Sequence, residues 1–231
     1  MKHIYTYLII CIWGFFSCSS PKQSTSNEES RLLSVIEIIT NSDSVSVEKL
    51  IDISVKYNLD KTSIYQWRNH FVIYDVLENA DSLKADIASA YPEASIKYYE
   101  SPFYIFDRKN CDNKESAKEW SHTIMTANLV QDTTLQKEYM DYHATQPENW
   151  PEVANGFCKA NFQQLLIFRN DRQLMLIISI PKGENLDELN PKTTENNPRV
   201  DEWNAIMGKY QEGIEGNKLG MAWVTFSPIV K

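Results

Sequence analysis

Residues four apart on a helix share a face, and Glu138-Tyr139-Met140-Asp141-Tyr142-His143 puts the phenol of Tyr139 and the imidazole of His143 in that relation. Such a pair joins a hydroxyl donor to a ring that titrates near neutral pH. It can give a proton to one atom of a bound molecule and take one from another. Taken alone, a helix histidine more often faces water, and core packing accounts for about half of helix tryptophans. Two further stretches carry aromatic groups into the argument: Trp150-Pro151-Glu152-Val153, and Asn197-Pro198-Arg199-Val200-Asp201-Glu202-Trp203. No CxxC, HExxH or clustered His/Cys pattern is present, so no metal site is expected. With 31 acidic against 23 basic residues, a net charge of -8 and no basic cluster, nucleic acid is excluded as a partner and a neutral or small polar ligand is favoured.

These groups need elements to hold them, and the chain shows one order of elements twice. Residues 34–40 alternate and are β-branched, as a strand requires. Residues 45–58 follow helical spacing. Residues 63–67 and 71–77 form a hairpin split by Arg68-Asn69-His70, with His70 expected to be a solvated turn residue. Residues 81–91 read as a helix stopped by Pro92, and 95–106 as one aromatic strand with Pro102 marking an edge or bulge. The second series runs as a strand over 123–130, then helical residues 133–159 interrupted near Pro147 and restarted at Trp150-Pro151. A hairpin of 162–168 and 173–180 around Arg169-Asn170-Asp171 follows, then a helix over 199–211 and a closing strand over 221–230. Both series are βαββαβ, and both hairpin turns contain Arg-Asn. A ferredoxin-like βαββαβ unit covers one face of its sheet with helices and leaves the other needing a partner. The expected fold is therefore α+β: two ferredoxin-like units, 32–110 and 121–231, facing each other as an intramolecular dimeric α/β barrel.

The first residues read as an export signal, with Lys2 and His3 ahead of an apolar run over 7–16 that is too short to span a bilayer. The run ends in Phe15-Phe16-Ser17-Cys18, which resembles a relaxed lipobox. The expectation is a lipoprotein signal over 1–17, lipid on Cys18, a Ser-rich tether over 18–31, and a place on the cell envelope, bound to the membrane by the lipid. Cys111 and Cys158 remain in the folded part. Outside the cytoplasm they could pair, whereas two buried thiols are the commoner fate of isolated cysteines; spacing does not choose between them.

Tyr-x-x-x-His on a first helix, followed by Trp-Pro-Glu, resembles the signature of the L-rhamnose mutarotase family. The run from Asn197 through Trp203 to Met207 resembles that family's second helix, and Trp223-Val224-Thr225-Phe226 its last strand, so the resemblance covers about 121–231. It implies a cofactor-free isomerase that interconverts sugar anomers, with His143 as general acid/base and Tyr139 orienting the sugar or sharing in the proton transfer. Trp203 takes the place of a residue that packs on the sugar, and Trp150 belongs to the same binding region. The chain departs from the family at Leu165, where a sugar-facing Tyr is frequent, and at Asn204, where a second Trp is frequent. These two positions leave the sugar open among L-rhamnose, L-fucose and other 6-deoxyhexoses. The alternative within the same fold is a non-catalytic monosaccharide-binding lipoprotein. The first unit has no Tyr-x-x-x-His and reads as a degenerate copy that covers the second, and association into a homodimer is a further expectation.

Overall fold

The computed structural model of the protein describes residues 33–41 and 46–230. The expected signal over 1–17, Cys18 and the tether over 18–31 lie outside the described residues.

The first series begins with β1 (Leu33–Ile39), α1 (Val47–Lys56), β2 (Ile64–Trp67), β3 (His70–Val76), α2 (Ala80–Ala90), β4 (Ser95–Tyr99) and β5 (Tyr104–Asp107). The second comprises β6 (Trp120–Leu129), α3 (Thr133–Ala144), α4 (Gln146–Asn149), α5 (Pro151–Lys159), β7 (Gln164–Asn170), β8 (Gln173–Pro181), α6 (Leu186–Leu189) and α7 (Pro198–Met207). Three short strands finish the chain: β9 (Gln211–Glu212), β10 (Val224–Thr225) and β11 (Ser227–Pro228).

Two antiparallel sheets result, a five-stranded one in the order β11-β2-β3-β1-β4 and a six-stranded one in the order β10-β6-β8-β7-β5, with β9 also paired to β6. Period-2 alternation sends successive side chains to opposite faces. In β1, Val35 joins Tyr65, Val72, Ile124, Phe168 and Ile177 in a core shared by the two sheets, while Ile36 and Ile38 join Leu50, Leu83 and Ile87 beneath α1 and α2. A third core lies between the second sheet and α3, α5 and α7. Each fully buried Ile, Leu or Phe here contributes about 1.5–3 kcal/mol relative to exposure.

Four expectations need correction. The aromatic strand over 95–106 is two strands in different sheets: β4 pairs with β1, whereas β5 crosses over and pairs with β7. Pro102 lies in the break, where its missing N–H cannot serve a ladder. The closing strand over 221–230 is reduced to β10 on β6 and β11 on β2, so the first sheet takes the edge strand β11 from the second half of the chain as the second sheet takes β5 from the first. Arg169 and Asn170 lie on β7, and the second turn is made by Asp171 (φ 53°) and Arg172, whereas Arg68 (φ 50°) opens the first; the shared dipeptide therefore marks different places. Finally, His70 is no solvated turn residue. It starts β3, and its Nδ1 lies 2.8 Å from Oε1 of the fully buried Glu37, whose carboxylate also accepts from Tyr99 Oη and Gln173 Nε2. A buried carboxylate needs such donors, and they come from both sheets.

Cys111 and Cys158 form a disulfide, with Cα atoms 5.8 Å apart. It ties the connection between the two halves to the last turn of α5.

Candidate active site

Asp132 caps α3 by accepting from the backbone N–H groups of Thr134 and Leu135. From that start the 3.6-residue period turns Tyr139 and His143 to the core side, with 1 % and 6 % of their surfaces exposed. Their ring centroids are 4.3 Å apart. The helix ends at Ala144, and Pro147 and Pro151 each sit in the first turn of the next short helix, where the missing proline N–H costs nothing. This break re-aims the chain so that Val153 and Phe157 of α5 face the same space as His143. Gly156 lets α5 approach closely: a Cβ there would stand 2.5 Å from the Thr193 carbonyl oxygen. Asn197 Nδ2 donates to the Glu152 carbonyl and ties the start of α7 to α5, and Val200, Trp203 and Met207 form the buried stripe of α7.

These elements enclose a cavity of about 310 Å³. Tyr139, His143, Leu165, Trp203 and Asn204 all line it, together with Tyr104, Gln211 and Trp223. Among the described residues on its wall none carries a formal charge, so the cavity suits a neutral ligand. Trp150 lies one layer back. It packs on Trp203 with centroids 5.6 Å apart and is covered by the Arg199 guanidinium at 3.8 Å, so it stands behind the cavity wall and not on it. The physical reason is the break near Pro147, which turns Trp150 into the seam between α3 and α7.

Hydrogen bonds fix the tautomer of His143. His143 Nδ1 is 2.9 Å from the Tyr139 carbonyl oxygen, which can only accept, so Nδ1 carries the hydrogen and Nε2 is the basic nitrogen left for a ligand. Burial pushes the imidazole down to about 4, with the bond to the Tyr139 carbonyl opposing the shift. The expected titration near neutral pH is thus corrected: His143 is neutral at pH 7. Burial also raises the Tyr139 phenol well above its ordinary value, with Gln211 opposing the shift, so the phenol keeps its proton. Trp223 Nε1 donates to Gln211 Oε1 at 2.9 Å, and this orients the amide. Gln211 Nε2 then points to Tyr139 Oη at 3.5 Å, leaving the phenolic hydrogen free to turn into the cavity.

Residues 122–229 match the L-rhamnose mutarotase family. A relative described as L-fucose mutarotase, from Xanthomonas campestris pv. campestris, is 29% identical over 96 residues, 41% of this chain and 74% of its own length. A UPF0734 protein of Dictyostelium discoideum is 29% identical over 117 residues, 49% of this chain and 86% of its own length. Among solved structures, the heme-degrading enzyme LmHde of Listeria monocytogenes aligns over 84% of this chain and 98% of its own, with a TM-score of 0.40 and 12% identity. The family match supports a sugar-mutarotase-like function for the C-terminal half and makes a carbohydrate isomerase the enzyme class it points to.

Three groups lining this cavity were not singled out from the sequence as site residues. Trp223 was visible only as part of the family's last strand. Gln211 reaches the site through β9, a strand of two residues with no pattern to read. Tyr104 arrives on β5 from the first half of the chain; its ring meets His143 edge-on at 5.2 Å and its hydroxyl donates to the buried Gln146. Phe103 beside it also meets His143 edge-on, at 5.7 Å.

Proposed function

We propose that this chain is a mutarotase that opens and recloses the pyranose ring of L-rhamnose or a related 6-deoxyhexose, with Tyr139 as proton donor and His143 as proton acceptor. The observation that carries the reading is the neutral donor and neutral acceptor held side by side, both buried, on the wall of an uncharged cavity of about 310 Å³. That volume lies at the small end of the range for small-molecule pockets, suited to one monosaccharide.

In the forward step His143 Nε2 removes the hydrogen of the anomeric hydroxyl while Tyr139 Oη–H protonates the ring oxygen. The C1–O5 bond breaks and its electron pair leaves with O5; the O1–H electron pair becomes the second bond of the aldehyde. Rotation about C1–C2 presents the other face of the carbonyl, and the reverse transfers close the ring on the opposite anomer. The imidazole is a weak base and the phenol a weak acid, so either transfer alone is unfavourable in this dry site. Moving both protons together with C1–O5 cleavage avoids an isolated buried charge. Trp203 offers an aromatic face to the C–H side of the ring. Leu165 leaves room and apolar surface for a 6-deoxy methyl group, while Asn204 offers an amide to a ring hydroxyl.

In this reading the two sheets are an intramolecular counterpart of a dimeric α/β barrel, the reciprocal exchange of β5 and β11 supporting that description. The reading also carries a lipid anchor at Cys18, an envelope location and a homodimer, none of which enters the proton transfers.

Magnetisation-exchange NMR between the two anomers of L-rhamnose tests the proposal. The protein should accelerate exchange, and His143→Gln should reduce that acceleration about 10²- to 10⁴-fold, the usual contribution of a positioned acid or base. Binding of the sugar with exchange no faster than in buffer would overturn the enzyme assignment.

A further inference from the structure

The 310 Å³ cavity is not closed. It opens into a cleft of about 980 Å³ that shares Val153, Phe157, Leu176, Ile178, Trp203 and Trp223 with it. A single hexose in the inner space would leave the outer one unfilled. The floor of the cleft is the helix-side face of β6, where Ser121, Thr123 and Met125 stand opposite Ile180, Ile178 and Leu176 of β8.

This strip has a polarity that core packing does not explain. On a strand face covered by helices, every second residue should be apolar. On β6 the helix-side positions 121 and 123 are hydroxyl residues that are only partly buried and line the cleft. Thr225 on the adjoining β10 adds a third hydroxyl, and the segment around α6 supplies Asn185 and Asp187 on the opposite bank. The Asn185 side-chain oxygen accepts from Asp187 N, which leaves its amide N–H groups directed elsewhere. Hydroxyls, amides and a carboxylate around an aromatic wall match the alternating hydroxyl and C–H surfaces of a sugar.

We infer that the preferred substrate is the reducing end of a neutral oligosaccharide, not a free monosaccharide, with the inner cavity holding the terminal ring and the cleft holding the sugar attached to it. The inference rests on the mutarotase reading above. Only the reducing-end residue has a hemiacetal that can open, so its C1 must lie at Tyr139 and His143. The next sugar is bonded through its own anomeric carbon to a hydroxyl of the inner ring and leaves by the mouth beside Trp203 and Asn204. Charge narrows the class. The cleft carries the carboxylates of Glu184 and Asp187 and, among its described lining residues, no Lys or Arg, so uronic acids and sugar phosphates meet like charge. Ser121 lies farthest along the strip, next to Ile180, which borders the cleft and not the inner cavity.

Exchange rates for L-rhamnose and for rhamnobioses linked 1→2, 1→3 and 1→4 test this, using the intact chain. At least one disaccharide should show a kcat/KM about tenfold above the monosaccharide, the effect of one or two net hydrogen bonds. Ser121→Trp, which fills the far end of the cleft, should bring the ratio of disaccharide to monosaccharide rates down to about one. Accelerated exchange of L-rhamnose with every disaccharide at or below its rate overturns this inference and leaves the mutarotase reading standing. Acceleration of neither overturns both. A disaccharide advantage that survives in Ser121→Trp, with the variant's fold verified by circular dichroism, removes the cleft as its source.

Discussion

Acidification should leave the His143 ring neutral until the pH approaches 4, and this carries a stability cost that can be measured. The unfolded imidazole titrates near 6.5, whereas burial in the folded chain lowers it to about 4. Between those values the unfolded chain binds a proton that the folded chain does not, so stability falls as pH drops through that window. Above 6.5 both states are deprotonated and the contribution is flat. The full shift corresponds to about 3 kcal/mol, and with only 6 % of the residue exposed, solvent screening removes little of it. His122 is also pushed down by burial, with Asp75 opposing, and adds a term of the same sign. The two are separated by difference. Urea unfolding at pH 7 and pH 4 should show the wild type losing about 3 kcal/mol more than His143→Gln over that interval. In parallel, the ring Cε1–H resonance of His143 should keep its neutral shift down to about pH 5 and titrate with a midpoint near 4. A midpoint near 6.5 for that resonance, or equal acid sensitivity in wild type and variant, would refute the claim that the ring is dry and the acceptor neutral.

Two further expectations follow from specific contacts. Gln211→Leu removes the amide that holds the Tyr139 hydroxyl direction, so kcat for anomer exchange should fall about two- to tenfold with KM little changed, the size of one net hydrogen bond. Gln211→Glu still accepts from Trp223 but can only accept from the phenol, which turns the Tyr139 hydrogen away from the sugar; a kcat equal to wild type in both variants would remove Gln211 from the mechanism. Reduction of Cys111–Cys158 opens a loop of sequence separation 47 and should cost about 4 kcal/mol in the loop-entropy account, read as a lowered urea midpoint with dithiothreitol. Cys158→Ser should show the same midpoint as the reduced wild type, and no response to reductant in the wild type would contradict a structural role for the bond.

The parts of the site legible in the sequence are those fixed by short-range periodicity. Tyr139 and His143 share a face because a helix repeats every 3.6 residues, and Pro147 and Pro151 announce the breaks that split 133–159 into three helices. The strands and helices that build two antiparallel sheets were legible for the same reason. What escaped depends on who pairs with whom. Residues 95–106 look like one aromatic strand because β4 and β5 both combine aromatic residues with an isoleucine, and the sheet each one joins is what separates them. His70 looked solvated because its Glu37 partner lies 33 residues away and becomes a neighbour only when β1 pairs with β3. The acidity of His143 was invisible for a further reason: residue type sets the starting value, but burial beneath rings from α3, α7 and β5 sets the shift.

That last point bears on the first half of the chain. Read as a degenerate copy, it has no helix histidine, and α1 and α2 cover an ordinary apolar core. Yet β5, which it sends into the second sheet, places Phe103 and Tyr104 edge-on against the imidazole. Rings in those positions exclude water from one side of His143, and water exclusion is what lowers its basicity and keeps Nε2 unprotonated at neutral pH. Tyr139 and His143 are therefore encoded within the twelve residues of α3, while part of the environment that sets the imidazole's protonation state comes from a strand on the far side of the chain's midpoint. A C-terminal half expressed alone would keep Tyr139 and His143 in sequence but would leave the Tyr104 side of the imidazole open to solvent.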